Sequence, residues 1–209
     1  VAGWTSEIIL GTSILVAGYH RPVDLAQRIT TLDVLSGGRT VFGFSVGWSD
    51  EEHAQYDVDA RTRGRRAGEL IDAMKACWSP DPVSYAGEFF TIPAADVDPK
   101  PVQRPHPPLM SGMRSEVGLK RTAEQFDWWN PASGTLEQHL STMGELAAIR
   151  PAGLEPLKMC WNLFTDPPVV VANLRPLSVD ELCAEVAAAA AAGVDAVSVD
   201  ANFDPAIGS

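Results

Sequence analysis

Near its start the chain reads EIILGTSILV (Glu7–Val16), an apolar, β-branched stretch that predicts a buried strand. Pro22 then begins a helix at its first position, and Gly37 with Gly38 ends that helix. Thr40–Val46 has the composition of a second strand. A strand, a helix and another strand in this order predict a right-handed crossover between parallel strands.

The alternation continues along the chain. Helices are expected at about 62–78, 115–126, 136–147 and 178–193, with Ser115 as an N-cap and Ser178 with Glu181 as a capping box. Further strands are expected at 108–113, 127–131, 157–164 and 194–199. A small hairpin is expected at Val83–Ile92, followed by an ordered but irregular proline-rich loop. Alternating strands and helices leave two arrangements, an open doubly wound sheet or a barrel. The fold class is therefore α/β.

The number of units decides how complete a barrel would be. A closed (β/α)-barrel needs eight strand–helix units and usually about 250 residues. Residues 1–209 supply about six such units. We therefore expect a single domain over residues 1–209, built as a TIM (β/α)-barrel that is incomplete.

Composition limits the function classes. The net charge of −11 leaves no basic surface for nucleic acid or an anionic membrane, so we expect neither partner. No apolar run approaches the roughly 20 residues of a membrane span. The three cysteines are widely spaced and fit neither a disulfide framework nor a zinc site, and no other spacing suggests a metal. We expect a cytoplasmic protein.

One short motif suggests a hydrolase. Gly43–Gly47 (GFSVG) matches the G-x-S-x-G nucleophile elbow and follows a predicted strand. Such an elbow needs a histidine base later in the chain. His106 lies in a proline-rich loop and His139 lies within a predicted helix, so neither is where that fold carries its base. A serine hydrolase using Ser45 is therefore the weaker alternative.

Small residues at strand ends suggest a bound anion instead. Gly43–Gly47, Gly11–Ser13 and Ser111–Ser115 each combine glycine with hydroxyl groups, so backbone N–H groups could approach a phosphate or a flat ring. Each alone is also typical of a tight turn without a ligand. Three of them at one end of a parallel sheet indicate a shared anionic cofactor.

Two other features have an ordinary interpretation. His53 follows three acidic residues, and we interpret it as the end of a solvated helix rather than as a lone metal ligand. The arginines at positions 61, 63, 65 and 66 run against the helix dipole. We interpret them as a solvated face, with an anion or partner site as the alternative.

Several longer strings carry a resemblance to a known family. They are Leu10–Val16, Thr31–Arg39 (TLDVLSGGR), Gly43–Trp48 with Glu51-Glu52, Gly87–Phe90 and Lys100–Pro108. With this spacing, the chain resembles the bacterial luciferase-like family of flavin- and deazaflavin-dependent oxidoreductases from about Thr5 to Val199. The TLDVLSGGR string is most similar to the deazaflavin-dependent branch.

The resemblance implies a TIM barrel, usually a homodimer, that acts on a small-molecule substrate. The cofactor, FMN or the deazaflavin F-420, would lie across the carboxyl ends of the strands. The family's non-prolyl cis peptide would fall at Ser13-Ile14. The implied cofactor-binding residues are Thr12, Ser13, Ile14, Ser45, Val46, Gly47, Gly112, Met113, Arg114 and Ser115.

The sequence also departs from the family pattern. Gly112–Ser115 reads GMRS where members commonly have Gly-Gly-Asn-Ser, and Trp128 replaces a glycine. Arg114 could add a phosphate contact, or Met113 could close the approach. The family's first two strands, with an active-site histidine, have no counterpart, so the domain looks N-terminally shortened and no catalytic residue can be assigned. A non-catalytic flavin-binding or interaction module derived from the barrel is the main alternative to an oxidoreductase.

Overall fold

The computed structural model describes residues 1–131, 134–164 and 178–200. The chain divides into two compact units, Val1–Arg121 and Thr122–Ser209, and each is described by itself. The single domain expected over residues 1–209 stays a prediction. In the described part of the chain, no helix has the length and apolar character that a membrane span requires.

Strands and helices alternate as predicted. In chain order the elements are β1 (Leu10–Val16), α1 (Pro22–Ser36), β2 (Thr40–Ser45), α2 (Asp50–Gln55), α3 (Arg63–Trp78), β3 (Val83–Ala86), β4 (Thr91–Ala95), β5 (Leu109–Ser111), α4 (Glu116–Gln125), β6 (Trp128–Trp129), α5 (Leu136–Ile149), β7 (Lys158–Phe164), α6 (Val179–Ala191) and β8 (Ala196–Asp200). Short 3-10 turns lie at Ala17–Tyr19 and Ala60–Thr62.

The first unit is built on three parallel strands. Phe42 of β2 is the register partner of Thr12 in β1 and of Leu109 in β5. Helix α1 ends as expected at Gly37, which adopts a left-handed conformation with φ of 68°. Ile29 on α1 and Ile71 on α3 are buried, and the apolar helix faces that carry them form part of the core of this unit.

A buried carboxylate fixes the proline-rich loop. Asp33 on α1 is fully buried and accepts hydrogen bonds from the backbone N–H groups of Val102 (2.7 Å) and Gln103 (3.0 Å). Its other oxygen accepts from the Thr40 hydroxyl at 2.7 Å. These bonds satisfy the charge, and they hold the loop that leads to β5 against the start of β2.

The first strand begins later than the sequence predicts. Ile8 and Ile9 are exposed, and β1 starts only at Leu10. The reason is Arg39, whose guanidinium donates to the carbonyl oxygens of Ile8 and Thr5. These hydrogen bonds hold the backbone that precedes β1 on the Arg39 side chain.

The second unit contains another parallel group. β7 pairs with β6 and with β8, and helices α5 and α6 connect these strands in sequence. The predicted capping box at Ser178 and Glu181 is present at the start of α6. Trp161 and Leu163 of β7 pack with Ala189 of α6 in an apolar cluster.

Candidate functional site

A cavity of about 530 Å³ lies within the first unit, at the carboxyl ends of β2 and β5. Its lining comes from three segments: residues 45–46 after β2, residues 60–64 before and within α3, and residues 112–121 at the start of α4. Carboxyl ends of parallel strands and helix starts meet here, which is where ligands bind in folds of this class.

The cavity is positively charged in a negatively charged protein. The lining includes four arginines, Arg61, Arg63, Arg114 and Arg121, and no aspartate or glutamate, although the chain has 27 acidic residues. Arg61 pairs with Asp59 and Arg63 with Asp50, each at 2.8 Å, but these pairs are exposed and therefore weak. The lining favours an anionic ligand.

The turn Ser45–Ser49, which follows β2, forms one wall. The Ser45 hydroxyl donates to the carbonyl oxygen of Gly112 at 3.4 Å. Gly47 has φ of 75°, and a Cβ atom there would lie 2.8 Å from both His53 Cε1 and Val16 Cγ1. This turn, called the β2 turn below, therefore requires glycine at position 47.

The turn Ser111–Ser115, called the β5 turn, forms another wall. The Ser111 hydroxyl accepts from the Met113 N–H, and the Ser115 hydroxyl accepts from the Gly118 N–H, each at 3.2 Å. Ser115 is thus the N-cap of α4, as predicted. Met113 is buried and Arg114 is exposed. The N-terminus of α4 adds to the positive potential of the arginines.

One side chain of β1, that of Ile14, lies against Gly112 at the edge of the cavity. The Ser13-Ile14 peptide is cis, as the family resemblance implies, and the register with β2 shifts between Thr12 and Leu15. A Cβ atom on Gly112 would lie 2.0 Å from Ile14 Cδ1. Ile14 therefore occupies the space that a side chain at Gly112 would need.

The structure places some of the predicted cofactor-binding residues in the cavity lining and others outside it. Ser45, Val46, Gly112, Met113, Arg114 and Ser115 line the cavity. Ile14 contacts its edge at Gly112. The Thr12 hydroxyl instead bonds to the backbone N–H and carbonyl groups of Gly43, both at 3.1 Å. Ser13 is exposed, and Gly47 packs on His53. A cofactor-binding role for any of these residues stays a prediction.

Sequence reasoning missed the surroundings of His53. The interpretation as a solvated helix end is wrong, because His53 is fully buried. Its Nε2 lies 3.0 Å from the Val46 carbonyl oxygen, and its Nδ1 lies 2.7 Å from that of Ser49. Helix α2 carries polar residues on every side (DEEHAQ), so the sequence pattern holds no signal for which side is buried.

The interpretation of the arginine-rich start of α3 as a solvated face is also wrong in part. Arg63 lines the cavity, and Arg66 donates to the Gly18 carbonyl oxygen at 3.2 Å. Arg65 pairs with Glu88 at the surface. Only part of this cluster is therefore a solvated face.

The hydrolase interpretation gains no support from the geometry. The Ser45 hydroxyl donates to a main-chain carbonyl group rather than to a histidine. His106 lies against Trp78, with its Nδ1 atom 2.9 Å from the Pro107 carbonyl oxygen. His53, which lies on α2 and packs on the β2 turn, contacts carbonyl oxygens as well. A nucleophile needs a base within hydrogen-bond reach.

Comparison with known proteins identifies related chains. The sequence profile described as luciferase-like monooxygenase matches residues 1–165. The uncharacterized protein Rv0953c of Mycobacterium tuberculosis is 36% identical over 126 residues, 60% of this chain and 44% of that protein. The FMNH(2)-dependent dimethylsulfone monooxygenase of Pseudomonas putida is 27% identical over 153 residues, 72% of this chain and 42% of that enzyme.

A third relative is named as an F420-dependent enzyme. The F420-dependent glucose-6-phosphate dehydrogenase of Kineococcus radiotolerans is 34% identical over 106 residues, which are 49% of this chain and 32% of that enzyme. The chain therefore spans less than half the length of these three relatives.

A solved structure has the same fold. The long-chain alkane monooxygenase LadA superposes on 99% of this chain and 68% of its own, with a TM-score of 0.79 at 13% identity. The predicted fold class, an incomplete (β/α)-barrel rather than an open doubly wound sheet, is confirmed.

Proposed function

The chain belongs to the family of luciferase-like monooxygenases, and on this basis we propose that it binds a reduced flavin or deazaflavin whose phosphate group occupies the cavity of the first unit. The activity proposed for the complete protein is that of an oxidoreductase acting on a small-molecule substrate. A homodimer is proposed with it.

One observation carries the proposal. The cavity at the strand ends is lined by four arginines and no acidic residue, and the first turn of α4 opens into it. FMN and F-420 both carry a phosphate group, and phosphates bind where arginines meet a helix N-terminus. The residues present therefore fit either cofactor at its phosphate.

The choice between the two cofactors rests on different features. The TLDVLSGGR string at Thr31–Arg39 is most similar to the deazaflavin branch, which favours F-420. Named relatives include an FMNH(2)-dependent enzyme and an F420-dependent one. We therefore propose F-420 first and FMN as the alternative.

The side chains of this unit have distinct tasks in the proposal. Arg114, Arg121 and the Ser115 N-cap would hold the phosphate group, because they combine charge with directed N–H groups. Val46 and Ile14 are apolar and would limit water at the adjoining surface. When bound, the cofactor would supply the hydride or oxygen chemistry itself.

Binding is the first property to test, because this chain spans less than half of its relatives. The purified chain is titrated with F-420 and, separately, with FMN, and cofactor fluorescence is followed. We expect saturable binding of at least one of them, weakened by inorganic phosphate. No binding of either cofactor up to millimolar concentration would contradict the proposal.

A second assay separates an enzyme from the non-catalytic alternative. The chain is mixed with the reduced form of the cofactor that it binds, and reoxidation by oxygen, the electron acceptor of the assay, is followed by absorbance, with an oxygen-free sample as the control. A turnover rate above that of the free cofactor supports the oxidoreductase. Binding with no faster reoxidation supports the binding module. Light scattering checks the proposed homodimer.

A further inference from the structure

We infer that Gly68 on α3 is a positioning residue: because it has no side chain, the guanidinium group of Arg121 can lie flat on this helix where it lines the cavity. The inference rests on the proposed function for the identity of the ligand, a cofactor phosphate. The contact between Gly68 and Arg121 lies within the first unit, and it can be tested without any cofactor.

The side chain of Arg121 lies directly on the backbone of α3. A Cβ atom on Gly68 would lie 2.7 Å from Arg121 Cζ and 2.8 Å from both Nε and Nη2. Because these three distances are nearly equal, the Cβ atom would stand over the flat face of the guanidinium group and not at its edge. All three are shorter than van der Waals contact. A residue larger than glycine at position 68 would therefore push the Arg121 side chain away.

A hydrogen bond fixes the direction of the same guanidinium group. Arg121 Nη1 donates to the carbonyl oxygen of Gly64 at 2.8 Å. Gly64 and Gly68 are four residues apart on α3, so they lie on the same face of the helix. Gly68 thus accommodates the flat face of the group, while the Gly64 carbonyl oxygen holds one of its nitrogens. Together the two contacts define where the Arg121 charge lies on α3.

This arrangement keeps the Arg121 charge in the cavity. Gly64 and Arg121 both line it, and a carbonyl group is neutral, so their hydrogen bond does not cancel the positive charge. The charge of Arg121 also reaches Asp72, four residues after Gly68. Burial raises the pKa of Asp72, and the charges of Lys75 and Arg121 oppose this shift. Asp72 is not part of the cavity lining, so an anion in the cavity meets Arg121 without a carboxylate beside it there.

A glycine inside a helix needs a physical reason, since glycine weakens a helix relative to alanine. Gly68 is buried within α3, and Arg121 occupies the space that a side chain would need. Gly144 within α5 differs, because its Cβ position has no neighbouring atom within 4 Å. The two glycines therefore form a matched pair: alanine at Gly144 changes only the helix, whereas alanine at Gly68 also displaces Arg121.

The contact is tested first, by urea unfolding in the absence of cofactor. Gly144→Ala should raise the stability of the chain, because alanine favours the helix and meets no neighbour. Gly68→Ala should be more favourable in an Arg121→Ala background than in the wild type, because the guanidinium group is then gone. The same effect of Gly68→Ala in both backgrounds would overturn the inference.

Cofactor affinity is measured next, by fluorescence titration with F-420 and with FMN. We expect Arg121→Gln and Gly68→Ala each to weaken binding by about tenfold, the factor given by one hydrogen bond to a charged group, and by less at high salt. The double variant should bind no more weakly than either single variant, because Gly68 acts through Arg121. Gly144→Ala is the control and should leave affinity unchanged.

The two measurements separate the possible failures. If the wild type binds neither cofactor, the proposed function fails, while unfolding still tests the contact between Gly68 and Arg121. If the wild type binds and folded Gly68→Ala binds as well or better, the positioning role is wrong. It is also wrong if the losses of affinity in Gly68→Ala and Arg121→Gln add in the double variant.

Arg121→Lys replaces Gly68→Ala in the titration if the alanine variant does not fold. Lysine keeps the positive charge but has no flat group to lie on Gly68. We expect Arg121→Lys to bind the cofactor less tightly than the wild type. Full affinity in this variant would overturn the inference, because the charge alone would then suffice.

Discussion

The two turns that face the cavity are held in different ways. The β2 turn is anchored by one buried ring, His53, whose nitrogens contact the carbonyl oxygens of Val46 and Ser49. The β5 turn is held by two hydroxyls, those of Ser111 and Ser115, and each accepts one backbone N–H. The first arrangement excludes water, whereas Ser115 and the neighbouring Arg114 are exposed.

This difference predicts that mutations in the two turns have different effects. The ring of His53 is fully buried, so no water replaces it when it is removed, and the β2 turn should be costly to alter. In the β5 turn Ser111 is buried, but the Ser115 hydroxyl is exposed and can exchange its contact with water, so the part of this turn near Ser115 can adjust around a bound anion. We expect mutations in the β2 turn to change mainly stability and those in the β5 turn to change mainly affinity.

Replacing His53 by phenylalanine should give the largest effect. The change removes the polar contacts of a fully buried ring with the carbonyl groups of Val46 and Ser49, of which Ser49 keeps the backbone N–H of residue 53, and it should lower the free energy of unfolding by about 3 kcal/mol. Urea unfolding followed by circular dichroism measures it. Ser111→Ala, at the buried serine of the β5 turn, is the matched variant, and it should cost about 1 kcal/mol. Equal losses of unfolding free energy in the two variants would contradict the proposed difference between the two turns.

The next test compares one glycine from each turn. Gly47→Ala must adopt a positive φ and press on His53 and Val16, so it should cost about 2 kcal/mol. Gly112→Ala meets only the end of the Ile14 side chain, which can rotate, so it should cost about 1 kcal/mol or less. Unfolding of both variants under the same conditions checks the order. A larger loss for Gly112→Ala would contradict it.

Most of the fold could be predicted because its signals are local. Pro22 and Gly37 bound α1, and Ser178 with Glu181 forms the predicted capping box. The start of β1 could not be predicted in the same way. Ile8 and Ile9 have strand composition, but Arg39, which is distant in sequence, holds the backbone before Leu10.

The site was predicted less completely, for a physical reason. A sequence can indicate which turns lie together, but not where each side chain points. The Thr12 hydroxyl bonds to Gly43, and the register of β1 with β2 is irregular between Thr12 and Leu15. Arg63 and Arg121 come from α3 and α4, and only the folded chain brings them to Ser45. His53 lies on a short polar helix whose buried side has no sequence pattern.

The two N-cap serines allow a finer comparison. Ser49 accepts from the Glu52 N–H at 3.1 Å, and Ser115 accepts from the Gly118 N–H at 3.2 Å. Each alanine variant should lose about 1 kcal/mol of stability. Ser115→Ala alone should also weaken cofactor binding, because only Ser115 lines the cavity. Paired unfolding curves and fluorescence titrations test this, and an affinity loss confined to Ser49→Ala would reverse the assignment of the two turns.

The smallest change in stability is expected at Arg114. Its side chain is exposed, so Arg114→Gln should alter the free energy of unfolding by less than about 0.5 kcal/mol. Its charge should still matter to a bound phosphate, and affinity should fall by about tenfold at low salt and by less at high salt. Titrations at two salt concentrations measure both effects.

Arg28→Gln is the control for this last test. Arg28 is equally a surface arginine, but it pairs with Asp24 on α1 and is not part of the cavity lining. The Arg28→Gln substitution removes one positive charge from the protein, as Arg114→Gln does, but leaves the charge of the cavity unchanged. If both variants weaken binding equally, the effect comes from the net charge of the protein. If only Arg114→Gln does so, the β5 turn holds the anion.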